Sequence, residues 1–76
     1  MPHVVVKLWP GPSEPQKEQL AQAITDALKQ VIGSSDRSVS VAIEEVAPDD
    51  WMQTVYASEI APRLDGLYKK PGYGPV

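Results

Sequence analysis

The chain opens on an alternation. In His3-Val4-Val5-Val6-Lys7-Leu8-Trp9, Val4, Val6 and Leu8 fall on one face and His3, Val5, Lys7 and Trp9 on the other, because successive side chains on extended backbone point to opposite sides. Short length and β-branched content predict a strand, and its mixed second face suits contact with another subunit. Pro10-Gly11-Pro12 ends it, since the two prolines bring no ladder donor. The period then changes. Leu20, Ile24, Ala27, Leu28, Val31 and Ile32 recur at spacings of three and four, with Ala21 and Ala23 beside them. Such a stripe predicts an amphipathic helix of about five turns. Ser13 and Gln16 stand at the spacing of a reciprocal cap. Pro15 sits in the first turn, where its missing N–H has no intrahelical use, and Gly33 suits the C-terminal cap. After a loop at Ser34-Ser35-Asp36-Arg37, Val39, Val41 and Ile43 alternate with Ser40, Ala42 and Glu44, which predicts a second strand to about Glu45-Val46. Strand, helix and strand in this order predict a right-handed crossover between parallel strands.

The last third is less periodic. Pro48-Asp49-Asp50-Trp51 reads as a turn into a helix capped by Asp49 or Asp50. Trp51, Met52, Val55 and Tyr56 form its apolar side. Glu59-Ile60-Ala61-Pro62 breaks or re-aims it, Arg63 to Tyr68 forms a further short helix, and Lys69-Lys70-Pro71-Gly72-Tyr73-Gly74 is a turn-rich tail.

Size sharpens this pattern. Seventy-six residues make one domain, 1–76, that buries only roughly 60% of its unfolded surface. No cysteine is present, so disulfides and thiolate metal sites are excluded, and a two-stranded sheet is marginal in water. Self-association is the remaining remedy: a dimer joins two βαβ units into a four-stranded sheet with the helices on one face. Ten acids against seven Lys and Arg give a net charge of −3 and no basic stripe, which argues against nucleic acid and anionic membranes as partners. Apolar runs are too short for a spanning helix or a signal peptide. A cytoplasmic, oligomeric protein is expected.

The candidate chemistry begins with absences. The chain has one histidine and lacks GxGxxG, P-loop and HExxH motifs, so metal and conventional cofactor chemistry have no foothold, and no cofactor is expected. Pro2 stands out. A small second residue permits removal of Met1, which leaves a secondary amine at the head of a strand. Apolar neighbours and nearby cations lower the proton affinity of such an amine, because both disfavour its charged form. Neutral near pH 7, it is a general base.

Pro2, the first strand, the Gly11, Ser13, Gln16, Lys17 run, the long helix and the Val39–Glu45 strand together resemble the 4-oxalocrotonate tautomerase family. Trp51, Glu59-Ile60-Ala61-Pro62 and Lys69-Lys70-Pro71-Gly72-Tyr73 resemble its longer, homodimeric bacterial members, which act on aryl enolpyruvates. The resemblance implies an α+β fold of the tautomerase, MIF-like type, keto-enol tautomerase activity with Pro2 as base, and Trp51 lining the pocket. It also marks a departure: Pro12 and Ser40 occupy the positions where short members carry two substrate-binding arginines. Neither bears charge, which counts against a dicarboxylate substrate. A 2-hydroxy-alkenoate with one carboxylate and an apolar or aromatic tail, such as enol phenylpyruvate, fits better. Arg37, Arg63, Lys69 and Lys70 are the candidate carboxylate holders, with Lys69 and Lys70 favoured because the tail carries part of the resemblance. His3 faces away from Pro2 by the strand alternation and reads as structural or partly exposed, though near enough to tune the amine; Trp9 reads as a dimer contact. Glu44 and Glu45 read as strand-end charges within reach of Arg37 or Lys7. Two other readings compete: hydration or dehalogenation of unsaturated acids within the same superfamily, and a non-catalytic dimeric module.

Overall fold

Strand β1 runs His3–Leu8 and strand β2 Ser40–Glu45. They pair in parallel, His3 opposite Ser40 through Leu8 opposite Glu45. Trp9 falls just beyond β1 and is exposed. Described here, in a computed structural model, are residues 1–75. The chain divides into two units, the first Met1–Glu45 and the second beginning at Val46.

In the first unit, helix α1 (Glu14–Ile32) links the strands. Its start follows the local rule: the Gln16 backbone N–H donates to Ser13 Oγ at 3.2 Å, and the Ser13 N–H donates to Gln16 Oε1 at 2.8 Å. Each bond satisfies a donor that the first helical turn leaves without a partner. At the other end Gly33 takes φ 71°, a left-handed conformation, and its N–H reaches the carbonyls of Leu28 and Lys29. Only glycine adopts that conformation without a Cβ penalty. The half-buried positions of α1 are Lys17, Ala21, Ile24, Thr25 and Leu28. The apolar stripe is therefore covered only in part within one copy: Val31 remains 80% and Ile32 64% exposed. The segment read as a plain loop contains a 3₁₀ turn, Asp36–Ser38, held by Ser38 Oγ donating to the Ser35 carbonyl at 2.8 Å.

One ion cluster ties α1 to β2. Lys17 Nζ lies 3.0 Å from Glu45 Oε2 and 3.3 Å from Glu14 Oε1. Glu45, read as a strand-end charge, is met by a lysine distant in sequence, because the crossover brings the first turn of α1 beside the end of β2. Hydrogen bonding to Glu45, then to Glu14, raises the Lys17 pKa above its ordinary value. A raised folded-state pKa contributes stability that is fully present below the unfolded lysine value, about 10.4, and is lost as pH rises through the folded value. Lys17→Met is thus expected to lower the urea midpoint at pH 7, with the gap to the native chain closing above pH ~10.5. An equal gap at pH 7 and pH 11 would show that the cluster adds nothing.

The second unit begins with a short helix α2, Pro48–Trp51, followed directly by a π-helical segment, Met52–Ile60, and a 3₁₀ segment, Ala61–Gly66. The cap expected from Asp49 or Asp50 is corrected: Ala47 is the N-cap residue and makes no side-chain cap bond. Both aspartates lie in the first turn instead, where negative charge faces the positive end of the helix dipole. Inside the wide turns, Thr54 Oγ1 donates to the Asp50 carbonyl at 2.7 Å, and Ser58 Oγ donates to that of Thr54. Hydroxyls on carbonyls four residues back compete with the α-helical ladder and bend it. The Ala61 N–H reaches the Tyr56 carbonyl, five residues back. As expected, Ile60 and Ala61 re-aim the chain; the segment that follows is 3₁₀ over Ala61–Gly66 rather than a helix over Arg63 to Tyr68, with Arg63 out of helical geometry at φ −120° and ψ 17°.

Val55 and Tyr56 are the only buried side chains among the described residues. The Tyr56 and Tyr73 rings lie 5.8 Å apart, tilted by 47°, an arrangement that suits their quadrupoles. A Cβ at Gly74 would come within 3.3 Å of the Tyr56 hydroxyl, so glycine permits the close approach of tail to ring.

Candidate active site

Pro2 lies just ahead of β1, half-buried. Its nitrogen is tertiary while Met1 is attached, and Met1 is fully exposed at 103%. The Pro2 carbonyl accepts from the Ser40 N–H at 3.2 Å, which carries the parallel ladder one residue beyond β1. Ser40 also reaches the next residue, its Oγ lying 2.6 Å from His3 Nδ1. Either atom can act as donor, because a hydroxyl rotates to match the tautomer of the ring. Because His3 and Ser40 are register partners, their side chains rise from the same face of the sheet. His3 is exposed.

Arg37 belongs to the first unit, exposed in the 3₁₀ turn ahead of β2, and the neighbouring Asp36 is engaged by Lys29 at 3.4 Å. Trp51, Arg63, Lys69 and Lys70 belong to the second unit. There the half-buried Trp51 donates its indole N–H to the Tyr73 hydroxyl at 2.7 Å. Tyr73 so joins Trp51 and Tyr56 in one aromatic group. Lys70 stands 4.0 Å from Asp65, both well exposed, a distance and exposure at which an ion pair contributes little. Lys69 is exposed and makes no ion pair among the described residues.

Two participants escaped the reading of the sequence. Ser40 was weighed only for the charge it lacks, and nothing in its neighbours signals a contact 37 residues away. Tyr73 was named only as part of the tail motif, and its contact with Trp51 is set by the folded tail. Among the described residues no group of three or more His, Asp or Glu side chains is placed to hold a metal ion, and no helix is long and apolar enough to cross a membrane.

Chemically, the first unit offers a strand preceded by a proline that is held by its carbonyl, leaving the nitrogen outside the ladder. Comparison with known proteins bears on that arrangement. The sequence matches the family described as Tautomerase enzyme over residues 2–57. It is 43% identical over 74 residues to a protein named Probable tautomerase from Xylella fastidiosa, covering 97% of this chain and 90% of that one. It is 49% identical to Tautomerase PptA from Pectobacterium carotovorum, over 96% and 97% of the two chains. The solved structure of YwhB, a homologue of 4-oxalocrotonate tautomerase, superposes with a TM-score of 0.61 at 38% identity, covering 63% of this chain and 79% of that one. The non-catalytic reading falls with these matches, and the proline-led βαβ unit takes its place: the chain belongs to the tautomerase family of isomerases.

Proposed function

We propose that this chain, once Met1 is removed, is a keto-enol tautomerase in which the Pro2 nitrogen is the general base, acting on 2-hydroxy-alkenoates with one carboxylate and an aryl tail, such as enol phenylpyruvate. The observation that carries the reading is the placement of Pro2. Its carbonyl is fixed by Ser40, its nitrogen takes no part in the sheet, and the residue ahead of it is fully exposed. In the reaction the Pro2 nitrogen accepts the enol hydroxyl proton. The O–H electron pair becomes the carbonyl π bond, and the C2=C3 pair takes a proton back from the Pro2 ammonium at C3. Protons and electrons balance without a cofactor.

Trp51 lines the apolar end of the substrate in this reading, with its indole orientation set by Tyr73. Lys69 is the preferred carboxylate holder, because it has no ion pair among the described residues whereas Lys70 stands beside Asp65. Arg37 and Arg63 are the remaining candidates. Ser40 in place of a cation supports a monocarboxylate. Exposure of Val5, Trp9, Val31 and Ile32 in a single copy supports a homodimer, since apolar area of that kind gains roughly 25 cal/mol per Å² when covered. The same reading places the enzyme in the cytoplasm as a single functional domain.

The test pairs intact mass with activity. Purified protein lacking Met1 is expected to accelerate the loss of enol phenylpyruvate absorbance; full activity from a chain shown to retain Met1 would overturn the proposal. Lys69→Met is expected to raise KM about tenfold, the loss of one charge-assisted contact, with kcat within a factor of two or so. An unchanged KM would pass the carboxylate to Lys70, Arg37 or Arg63.

A further inference from the structure

A base at the first residue of a chain faces a physical problem. Terminal residues are poorly ordered unless tied down, whereas a misplacement of about 1 Å costs a positioned catalytic group on the order of a hundredfold. Pro2 is poorly equipped to tie itself down. Its nitrogen is reserved for chemistry in the proposed mechanism, and proline has no N–H while Met1 is attached. Its carbonyl is its one main-chain link to the sheet, and that carbonyl is met by Ser40 alone among the described hydrogen bonds. The same serine holds the following residue by its side chain, with Oγ 2.6 Å from His3 Nδ1. Backbone and side chain of a single β2 residue therefore grip both residues at the head of β1. The parallel register makes this double grip available, because it sets Ser40 directly opposite His3.

The geometry points to Ser40 as a positioning residue for the base: its hydroxyl holds the His3 side chain, His3 so held stops the strand from fraying, and the Pro2 nitrogen stays where substrate requires it. The inference rests on Pro2 being the base, and it assigns Ser40 a duty separate from the cationic one its position has in the short family members. Serine suits the task because its hydroxyl donates or accepts as the ring demands, so the bond survives a change of tautomer or protonation at His3. Alanine would keep the Ser40 N–H bond to Pro2 and lose only the hydroxyl. Threonine would keep both.

The experiment compares Ser40→Ala, Ser40→Thr, His3→Ala and the His3→Ala/Ser40→Ala double variant, all verified to lack Met1. Ser40→Ala is expected to lower kcat about tenfold with KM within a factor of two or so. Ser40→Thr should restore most of that loss. In the His3→Ala background, Ser40→Ala should add no further loss, because a residue acting through another has nothing left to act on. Native kcat in Ser40→Ala, failure of Ser40→Thr to restore activity, or full additivity with His3→Ala would each overturn the assignment. A second readout needs no substrate: the NMR order parameter of the His3 backbone amide should fall in Ser40→Ala and recover in Ser40→Thr. An inactive native enzyme with that pattern intact would sink the tautomerase substrate and leave the grip standing; a rigid His3 in Ser40→Ala would sink the grip alone.

Discussion

Pro2→Ala is expected to lower kcat/KM for enol phenylpyruvate by about 10²–10⁴-fold, the usual worth of a positioned general base. The substitution leaves the sheet alone. Ser40 binds the carbonyl of residue 2, which alanine supplies equally well, so the variant should unfold at nearly the same denaturant concentration as the native chain. What changes is the nitrogen. A primary amine has lost the ring that fixes φ and holds the lone pair in one direction, and it differs from a secondary amine in proton affinity and hydration. The pH dependence separates these effects from general damage. In the native enzyme kcat/KM should follow an ionisation of the free enzyme near neutrality; in Pro2→Ala that ionisation should move or vanish. A variant with native rate and native pH profile would place the base elsewhere and remove the reason for the mechanism.

The largest effect on stability should come from Tyr56→Ala, about 3 kcal/mol by the general cost of truncating a buried aromatic. Tyr56 and Val55 are the only buried side chains among the described residues, so truncating the ring removes much of the second unit's buried apolar surface. Tyr73 loses its ring partner at 5.8 Å, and its hydroxyl is the acceptor for Trp51, so the damage reaches the indole. Urea unfolding at a single protein concentration measures the loss, the concentration being held because association contributes to the apparent stability of an oligomer. Intrinsic tryptophan fluorescence should shift in the same variant as the Trp51 indole loses its fixed partner. A destabilisation below about 0.5 kcal/mol, the range of ordinary surface changes, would mean that the aromatic group holds nothing together.

These two sites differ in how visible they are along the chain. Pro2 could be singled out because its chemistry depends on position in the sequence and on being second, a property needing no fold. The same holds for α1. Ser13, Gln16 and Gly33 act on backbone groups within a few residues of themselves, so the boundaries follow from local rules. The strands were nearly as legible, with Trp9 and Val39 lying just outside them. The region after Val46 was harder. A π-helical turn has no side-chain period that distinguishes it from an α-helix over nine residues, and the hydroxyls of Thr54 and Ser58 influence the ladder in ways composition does not announce. Asp49 and Asp50 looked like caps, but Pro48 had already opened the helix ahead of them.

By itself the sequence determined the βαβ order, the caps of its long helix, the lack of thiol chemistry and the candidacy of Pro2, each decided by neighbours within a turn or by mere presence and absence. Only the tertiary structure decided that Glu45 takes Lys17, that Ser40 grips Pro2 and His3 together, and that Tyr73 holds Trp51. Those choices join residues more than twenty positions apart, and their energies exist only after the crossover and the tail have brought the groups to hydrogen-bonding distance.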